Sequence, residues 1–161
     1  MSRLLIDGYN LIGVSHNDLR REREMLINSL AEYRKRKGHD VFVVFDGWRS
    51  GPGKETISVT EGIRVIYSGI GDRADDVIKR MISSDKREWI VVTSDRDIAD
   101  HTWSCGSTPV AAGKFLRILE EGSSFSDDDQ EEDEEYIQPR KGSPRQLSRK
   151  EKAVRRALNK L

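Results

Sequence analysis

The 161-residue sequence lacks the features of several common protein classes. Its single cysteine, Cys105, excludes an internal disulfide and most zinc sites. The three histidines, His16, His39 and His101, do not have the spacing that is typical of metal ligands. No apolar run is long enough to cross a membrane, and no signal-peptide pattern precedes the first predicted strand. We therefore expect a soluble, cytoplasmic protein that does not contact membranes.

Apolar residues make up only 35% of the chain, and the shortage is concentrated towards its C-terminus. Apolar periodicity is confined to residues 1–121, so we predict one core domain there and a charged tail over residues 122–161. Eight acids fall within residues 127–135, and bases dominate after them. This composition favours a largely disordered tail. The alternative is a short basic helix over residues 148–161 that docks onto nucleic acid or a ribosome.

Short apolar segments alternate with amphipathic ones along the predicted core. The apolar segments predict strands at 4–6, 41–45, 63–67, 89–92 and 108–110. Apolar residues at helical spacing predict the main helices at 17–37, 72–82 and 113–121. Alternating strands and helices predict a three-layer α/β/α sandwich around a mainly parallel sheet. In such a fold, ligands bind at the carboxyl ends of the strands.

Aspartates follow three of the predicted strands. Asp7 follows the first, Asp46 follows the second, and Asp95 and Asp97 come shortly after the strand at 89–92. Carboxylates that are brought together repel one another and lose solvation, so such a cluster needs a partner of opposite charge. We therefore expect a cation at this edge of the sheet. Asp97 has an alternative role, because it can also cap the short helix predicted after it.

Two more acids, Asp75 and Asp76, lie at the start of the helix predicted at 72–82. The helix dipole favours negative charge in a first turn, which explains one of them more readily than both. Mg²⁺ and Mn²⁺ prefer carboxylate oxygens, and a pair of such ions can activate water and stabilise the leaving oxygen of a phosphodiester. We therefore predict a Mg²⁺ or Mn²⁺ site formed by Asp7, Asp46, Asp75, Asp76, Asp95 and Asp97. The sequence contains neither a phosphate-binding loop nor a recognisable serine–histidine pair.

The segment after Asp46 has the composition of an exposed loop. Residues 47–54 contain three glycines, a proline, a tryptophan and two bases. Single-stranded nucleic acid is bound by aromatic side chains that stack on bases and by cations that face phosphates. The candidate substrate contacts in this loop and beside the acidic segments are Trp48, Arg49, Lys54, Arg73 and Arg96. A plain surface loop is the alternative.

Four segments together carry a resemblance to a known family. They are Ile6-Asp7-Gly8-Tyr9-Asn10-Leu11-Ile12, Val44-Phe45-Asp46-Gly47, Ala74-Asp75-Asp76-Val77-Ile78 and Thr93-Ser94-Asp95-Arg96-Asp97. In this order they are similar to the YacP-like NYN domains of the PIN-like nuclease superfamily. The resemblance covers about residues 1–121.

This resemblance implies a PIN-like fold and a metal-dependent ribonuclease that uses Mg²⁺ or Mn²⁺. Carried over by position, Asp7, Asp76 and Asp95 are the first-choice ligands and catalytic residues. Asp75 and Asp97 are second ligands or act through water. Asn10 matches the asparagine of the family, which orients Asp7 or contacts substrate. Some relatives cleave messenger RNA on the ribosome. Neither the loop after Asp46 nor the charged tail belongs to the matched segments.

Two functions from different classes follow. The first is an endoribonuclease that cleaves single-stranded messenger or ribosomal RNA, with the ribosome as a further partner. The alternative is a non-catalytic RNA- or ribosome-binding module on the same fold. The full set of acids favours the enzyme, because clustered anions weaken the binding of phosphates. A phosphatase with Asp7 as nucleophile is a weaker third hypothesis, because Tyr9 stands where that chemistry needs a second aspartate.

Overall fold

The structure, a computed structural model, describes residues 2–12, 18–47, 53–122 and 148–161. Their strands are β1 (Arg3–Asp7), β2 (Asp40–Phe45), β3 (Thr56–Thr60), β4 (Ile63–Tyr67), β5 (Ile90–Val92) and β6 (Thr108–Val110). Their helices are α1 (Gly8–Ile12), α2 (Leu19–Lys37), α3 (Ala74–Ser84), α4 (Arg96–Ser104), α5 (Ala112–Glu121) and α6 (Arg149–Lys160). None of these helices is long and apolar enough to cross a membrane.

The strands form one sheet with the order β3-β4-β2-β1-β5-β6. β1 lies near the centre and pairs in parallel with β2 and β5, and β4 and β6 extend the parallel array on either side. The edge strand β3 runs antiparallel to β4. The carboxyl ends of the five parallel strands therefore lie side by side, as the sequence predicts. We call this end of the sheet its carboxyl edge.

Helices cover both faces of the sheet, and this confirms the predicted α/β/α sandwich. Ile6 of β1 packs in a core with Leu30 of α2 on one face. Its neighbour Leu5 packs on the opposite face with Val77 of α3 and Ile98 of α4. Successive side chains of a strand point to opposite faces, so a strand that is covered on both sides needs a continuous apolar run.

Two elements were not predicted from the sequence. Residues 8–12 form the short helix α1, and residues 56–60 form the edge strand β3. The apolar side chains of β3 are exposed, with 64% of Ile57 and 68% of Val59 accessible, so its burial pattern differs from that of the other strands. The sequence signal for this hairpin is Gly62, because glycine is common in two-residue hairpin turns, and in the structure Glu61 and Gly62 both have positive φ.

The apolar core extends beyond its predicted limit at residue 121. Ala157 and Leu161 are only 4% and 3% exposed, and they belong to the same buried cluster as Tyr33. The Tyr33 hydroxyl donates to the Leu161 carbonyl oxygen at 3.2 Å. The basic helix that was the alternative for residues 148–161 is therefore present as α6, and it packs on the core. The acidic run at 127–135 lies outside the described residues.

Candidate active site

Asp7 is the most buried acid at the carboxyl edge of the sheet. It is the last residue of β1, and its exposed fraction is 4%. The Asn10 side-chain amide donates to Asp7 Oδ2 at 2.6 Å, and Asn10 Oδ1 accepts from the Ser94 backbone amide at 2.9 Å. Asn10 thus connects the end of β1 to the segment that follows β5. Gly8 allows this close packing, because a Cβ atom there would overlap the ring of Phe45.

Burial is the main cause of an altered pKa at Asp7. Loss of solvation, and then the nearby carboxylates of Asp75, Asp46 and Asp95, raise the pKa of Asp7 from 3.8 to about 7. A hydrogen bond from Asn10 opposes this increase and lowers the pKa. Four aspartates from four different segments of the chain therefore interact electrostatically at this edge.

Asp46 connects three elements at the same edge. Its Oδ1 atom accepts from the backbone amide of Ala74, the first residue of α3, at 2.7 Å. The same atom accepts from the Ser68 hydroxyl at 3.4 Å, and that hydroxyl oxygen accepts from the Gly47 amide at 3.0 Å. The end of β2, the segment after β4 and the start of α3 are therefore held together around one carboxylate.

The two acids at the start of α3 have different surroundings. Burial, followed by the carboxylates of Asp95 and Asp46, raises the pKa of Asp75, while Lys79 lowers it. Asp76 is exposed, and its Oδ2 atom accepts from the backbone amide of Arg73, the residue before α3, at 3.3 Å. The sequence placed Asp76 ahead of Asp75 as a ligand. In the structure Asp75 raises the pKa of Asp7, and Asp76 contributes to the raised pKa of Asp75.

Asp95 and Asp97 also have separate roles in the fold. Asp95 is the N-cap of α4, since its Oδ1 atom accepts from the backbone amides of Asp97 at 2.8 Å and Ile98 at 3.3 Å. The alternative of Asp97 as the cap is therefore wrong. Asp97 is instead exposed and forms an ion pair with Lys79, which lowers its pKa.

The predicted substrate contacts are only partly covered by the structure. Trp48 and Arg49 lie outside the described residues. Lys54 is exposed in the turn before β3. Arg73 and Arg96 are both exposed, the first directly before α3 and the second directly after Asp95. These two cations therefore border the carboxylate cluster, and a role in substrate binding stays a prediction.

Ser68 contacts the carboxylate cluster, and the sequence analysis did not include it. It is 1% exposed, and its hydroxyl bridges Asp46 and Gly47. The signal was its position, because the last residues of β2 and β4, Phe45 and Tyr67, are in register. Asp46 follows Phe45 and Ser68 follows Tyr67. Because the two strand ends are in register, Ser68 lies beside Asp46.

The donor chemistry of the cluster fits a divalent cation. Carboxylate oxygens are the ligands that Mg²⁺ and Mn²⁺ prefer, and a cation would offset the burial and the repulsion that together raise the pKa of Asp7. As the side chains stand, no three His, Cys, Asp or Glu residues in the described ranges are placed to hold one ion together. The four aspartates interact electrostatically, but their oxygen atoms are not arranged as a coordination shell around one ion.

Comparisons with known proteins point to one family. The model of the YacP-like NYN domain matches residues 4–160, a range that includes α6. The uncharacterized protein YacP of Bacillus subtilis (strain 168) is 29% identical over 130 residues, covering 74% of this chain and 76% of that protein. The crystal structure of Rae1 (YacP) from Bacillus subtilis is 30% identical, with a TM-score of 0.62 over 76% of this chain and 75% of that chain. A mutant of Rae1 gives a TM-score of 0.60 at 27% identity, over 75% of this chain and 76% of the mutant's.

Proposed function

Because the chain belongs to the YacP-like NYN domain family, whose fold is nuclease-like and RNA-related, we propose that it is a metal-dependent endoribonuclease. Its substrate is single-stranded RNA, and its active site is the cluster of Asp7, Asp46, Asp75 and Asp95. The proposal includes messenger or ribosomal RNA as the target, a cytoplasmic location and action on RNA that is held by the ribosome.

The observation that carries this proposal is the environment of Asp7. A carboxylate that is 4% exposed and faces three other carboxylates destabilises the folded protein whenever it is ionised. A surface that only bound RNA would gain nothing from these anions, because they repel phosphates. A divalent cation makes the same arrangement favourable, and nucleases of the NYN and PIN-like type generally use such cations.

Each residue of the cluster has a defined part in the proposal. Asp7, Asp75 and Asp95 would supply carboxylate oxygens to the ion, and Asp46 would do so while it holds the start of α3. Asn10 positions Asp7 through the 2.6 Å hydrogen bond. The bound ion would activate water for attack on the phosphodiester and stabilise the leaving oxygen.

Two further aspartates keep structural parts in this proposal. Asp76 caps α3 through the Arg73 amide, and Asp97 pairs with Lys79. Their role as ligands stays a prediction that the same assay can address, because Asp76→Asn and Asp97→Asn can be compared with Asp75→Asn. We expect the loss of activity to be largest for Asp75→Asn.

The direct test is cleavage of an end-labelled single-stranded RNA by the purified protein with Mn²⁺ or Mg²⁺. We expect cleavage that EDTA stops and that Asp95→Asn lowers by at least about 100-fold, since ligand loss removes several kcal/mol of transition-state stabilisation. Asparagine caps helices as well as aspartate does, so the variant should keep its fold. Translating ribosomes serve as a second substrate. Equal cleavage by the wild type and Asp95→Asn on both substrates would contradict the proposal.

The non-catalytic alternative has one observation in its favour. In the described ranges no three acidic or histidine side chains are already arranged around an ion, as a preformed metal site would require. This alternative expects binding of RNA or ribosomes without cleavage. It also expects that Asp7→Asn and Asp95→Asn bind at least as well as the wild type, because each removes a negative charge.

A further inference from the structure

Arg23 is linked through Tyr9 to the backbone of Asp46, and the proposed chemistry gives it no role. It lies on α2, and its Nη1 atom donates to the Tyr9 hydroxyl oxygen at 3.3 Å. The Tyr9 hydroxyl in turn donates to the backbone oxygen of Asp46 at 3.5 Å. Arg23 also lies over the ring of Tyr67, with its Cζ atom 5.7 Å from the ring centroid. The guanidinium therefore contacts two tyrosines, and one of them, Tyr9, contacts the backbone of Asp46.

The rings around Arg23 form a continuous aromatic group, which we call the aromatic shelf: Tyr9, Phe45 and Tyr67. The rings of Tyr9 and Phe45 meet edge to face at a centroid distance of 5.4 Å. Phe45 and Tyr67 stack at 5.6 Å with an interplanar angle of 28°. Phe45 is fully buried, whereas Tyr9 and Tyr67 are partly exposed. The buried ring of Phe45 thus packs against two rings that are partly open to solvent.

The topology places this shelf at the same sheet edge as the acids. Phe45 and Tyr67 are the last residues of two parallel strands, and Tyr9 follows Asp7 by two positions. An RNA strand that reaches the carboxylate cluster carries phosphates that those carboxylates repel. Arginine matches phosphate with a planar fork of donors, and aromatic side chains stack on nucleobases of any sequence. The shelf and its arginine thus supply both kinds of contact that a single strand needs.

We propose that Arg23 binds a phosphate of the RNA strand at this end of the sheet, and that the partly exposed ring of Tyr9 stacks with an adjacent base. The proposal rests on the proposed function for its substrate class, single-stranded RNA. The competing explanation is structural: Arg23 would then only attach α2 to Tyr9 and Tyr67. The two explanations differ in what the removal of the charge does to RNA binding.

The test measures binding of a fluorescent single-stranded RNA by anisotropy, in EDTA so that no cleavage occurs, over a series of salt concentrations. We expect Arg23→Gln to weaken binding about 10-fold. Loss of one phosphate contact should also lower the slope of log K against log salt concentration by about 0.7. Arg23→Lys keeps the charge and should recover that slope, although it loses the fork.

Arg20→Gln is the matched control. Arg20 lies on the same helix, is 83% exposed and pairs with Glu24 at 3.3 Å. It carries the same charge, so its replacement reports the general effect of one cation on α2. We expect a change in affinity below about 2-fold for this variant. If Arg20→Gln and Arg23→Gln weaken binding equally, the proposal of a specific phosphate site is wrong.

Thermal melting of each variant separates binding from stability. If Arg23→Gln loses stability but binds RNA like the wild type, Arg23 has only the structural role. If Arg23→Gln does not fold, Tyr9→Phe decides, because it keeps the ring and removes the oxygen that accepts from Arg23. We expect Tyr9→Phe to weaken binding about 3-fold, since one neutral hydrogen bond that orients the cation is lost. Unchanged binding by Tyr9→Phe would overturn the proposal in that case. Because binding is measured in EDTA, a failure to cleave RNA leaves this result unaffected.

Discussion

The two ends of the sheet differ in the partners of their buried polar groups. At the amino end, the buried His39 accepts from the Ser2 amide at Nδ1 (3.3 Å), and its Nε2 atom lies 2.8 Å from the Lys160 carbonyl oxygen. Because Nδ1 accepts, Nε2 carries the proton and donates. At the carboxyl end, Asp7 is as deeply buried, yet the groups that act most strongly on it are three other carboxylates.

This difference separates stability from function. At the amino end, hydrogen bonds between donors and acceptors connect β1, β2 and α6, so each contact there stabilises the fold. The carboxyl end collects groups of one sign, which costs stability until a cation binds. Changes at the amino end should therefore alter the free energy of unfolding, and changes at the carboxyl end should alter cleavage.

The largest expected effect on stability comes from removal of α6. Deletion of residues 148–161 removes the buried Leu161 and Ala157 and the acceptors of two hydrogen bonds. We expect the free energy of unfolding to fall by about 3–5 kcal/mol, as measured by urea denaturation. The exposed Lys152 of α6 provides a control, because Lys152→Gln should change the value by less than about 0.5 kcal/mol. A deletion variant as stable as the full chain would show that α6 is not part of the core.

The second prediction concerns pH at the carboxyl end. The folded pKa of Asp7, about 7, lies above the ordinary value of 3.8, so the folded metal-free protein holds this proton more tightly than the unfolded chain. The stability conferred by the proton is fully present below about pH 4 and is lost as the pH rises to about 7. The difference of about three in pKa corresponds to a loss on the order of 4 kcal/mol.

Comparison with Asp7→Asn isolates this effect from other titrating groups. We expect the wild type to lose stability relative to Asp7→Asn between pH 4 and pH 7, in urea titrations with EDTA present. A constant difference between the two proteins across this range would mean that Asp7 is not buried among like charges.

A smaller effect is expected at the amino end from Tyr33→Phe. Tyr33 is fully buried, and its hydroxyl donates to the Leu161 carbonyl oxygen. Its replacement leaves a buried oxygen without this donor, so we expect a loss of about 1–2 kcal/mol in the free energy of unfolding. The rate of RNA cleavage should not change. If Tyr33→Phe lost activity but not stability, the claim that the amino end acts on stability and the carboxyl end on cleavage would be wrong.

The smallest effect on stability is expected for Asp95→Asn. Asparagine accepts hydrogen bonds from the amides of Asp97 and Ile98 as aspartate does, so the free energy of unfolding should stay within about 0.5 kcal/mol of the wild type. Asp95→Ala, which cannot cap α4, is the comparison and should cost about 1 kcal/mol. If both variants are equally stable, the side-chain cap at Asp95 does not contribute to the free energy of unfolding.

The sequence predicted those features that depend on strand periodicity. An aspartate after an apolar strand of a parallel sheet must lie at the carboxyl edge, so the positions of Asp7, Asp46 and Asp95 followed from the fold. The choice between Asp75 and Asp76 did not follow. Adjacent helical residues differ by about 100° in direction, and the orientation of α3 depends on its contact with Asp46. Neighbouring aspartates cannot be told apart without that contact.

The packing of α6 was equally hard to predict. The helix contributes few apolar side chains to the core, and its composition is that of a solvated basic segment. Two of the contacts that hold its end are made by backbone carbonyl oxygens, which every residue possesses. Their partners, Tyr33 and His39, lie more than 100 positions away in the chain, so no local pattern could indicate them.

The most direct test of the central claim is Mn²⁺-dependent RNA cleavage by Asp7→Asn, measured beside its stability at pH 8. Asparagine keeps the size of the side chain and an oxygen that can accept from Asn10, so the variant removes only the buried charge. We expect a metal-free protein that is more stable than the wild type and cleaves RNA at least about 100-fold more slowly. Cleavage at the wild-type rate, or a loss of stability in place of the gain, would contradict the claim that this edge keeps its carboxylates for catalysis.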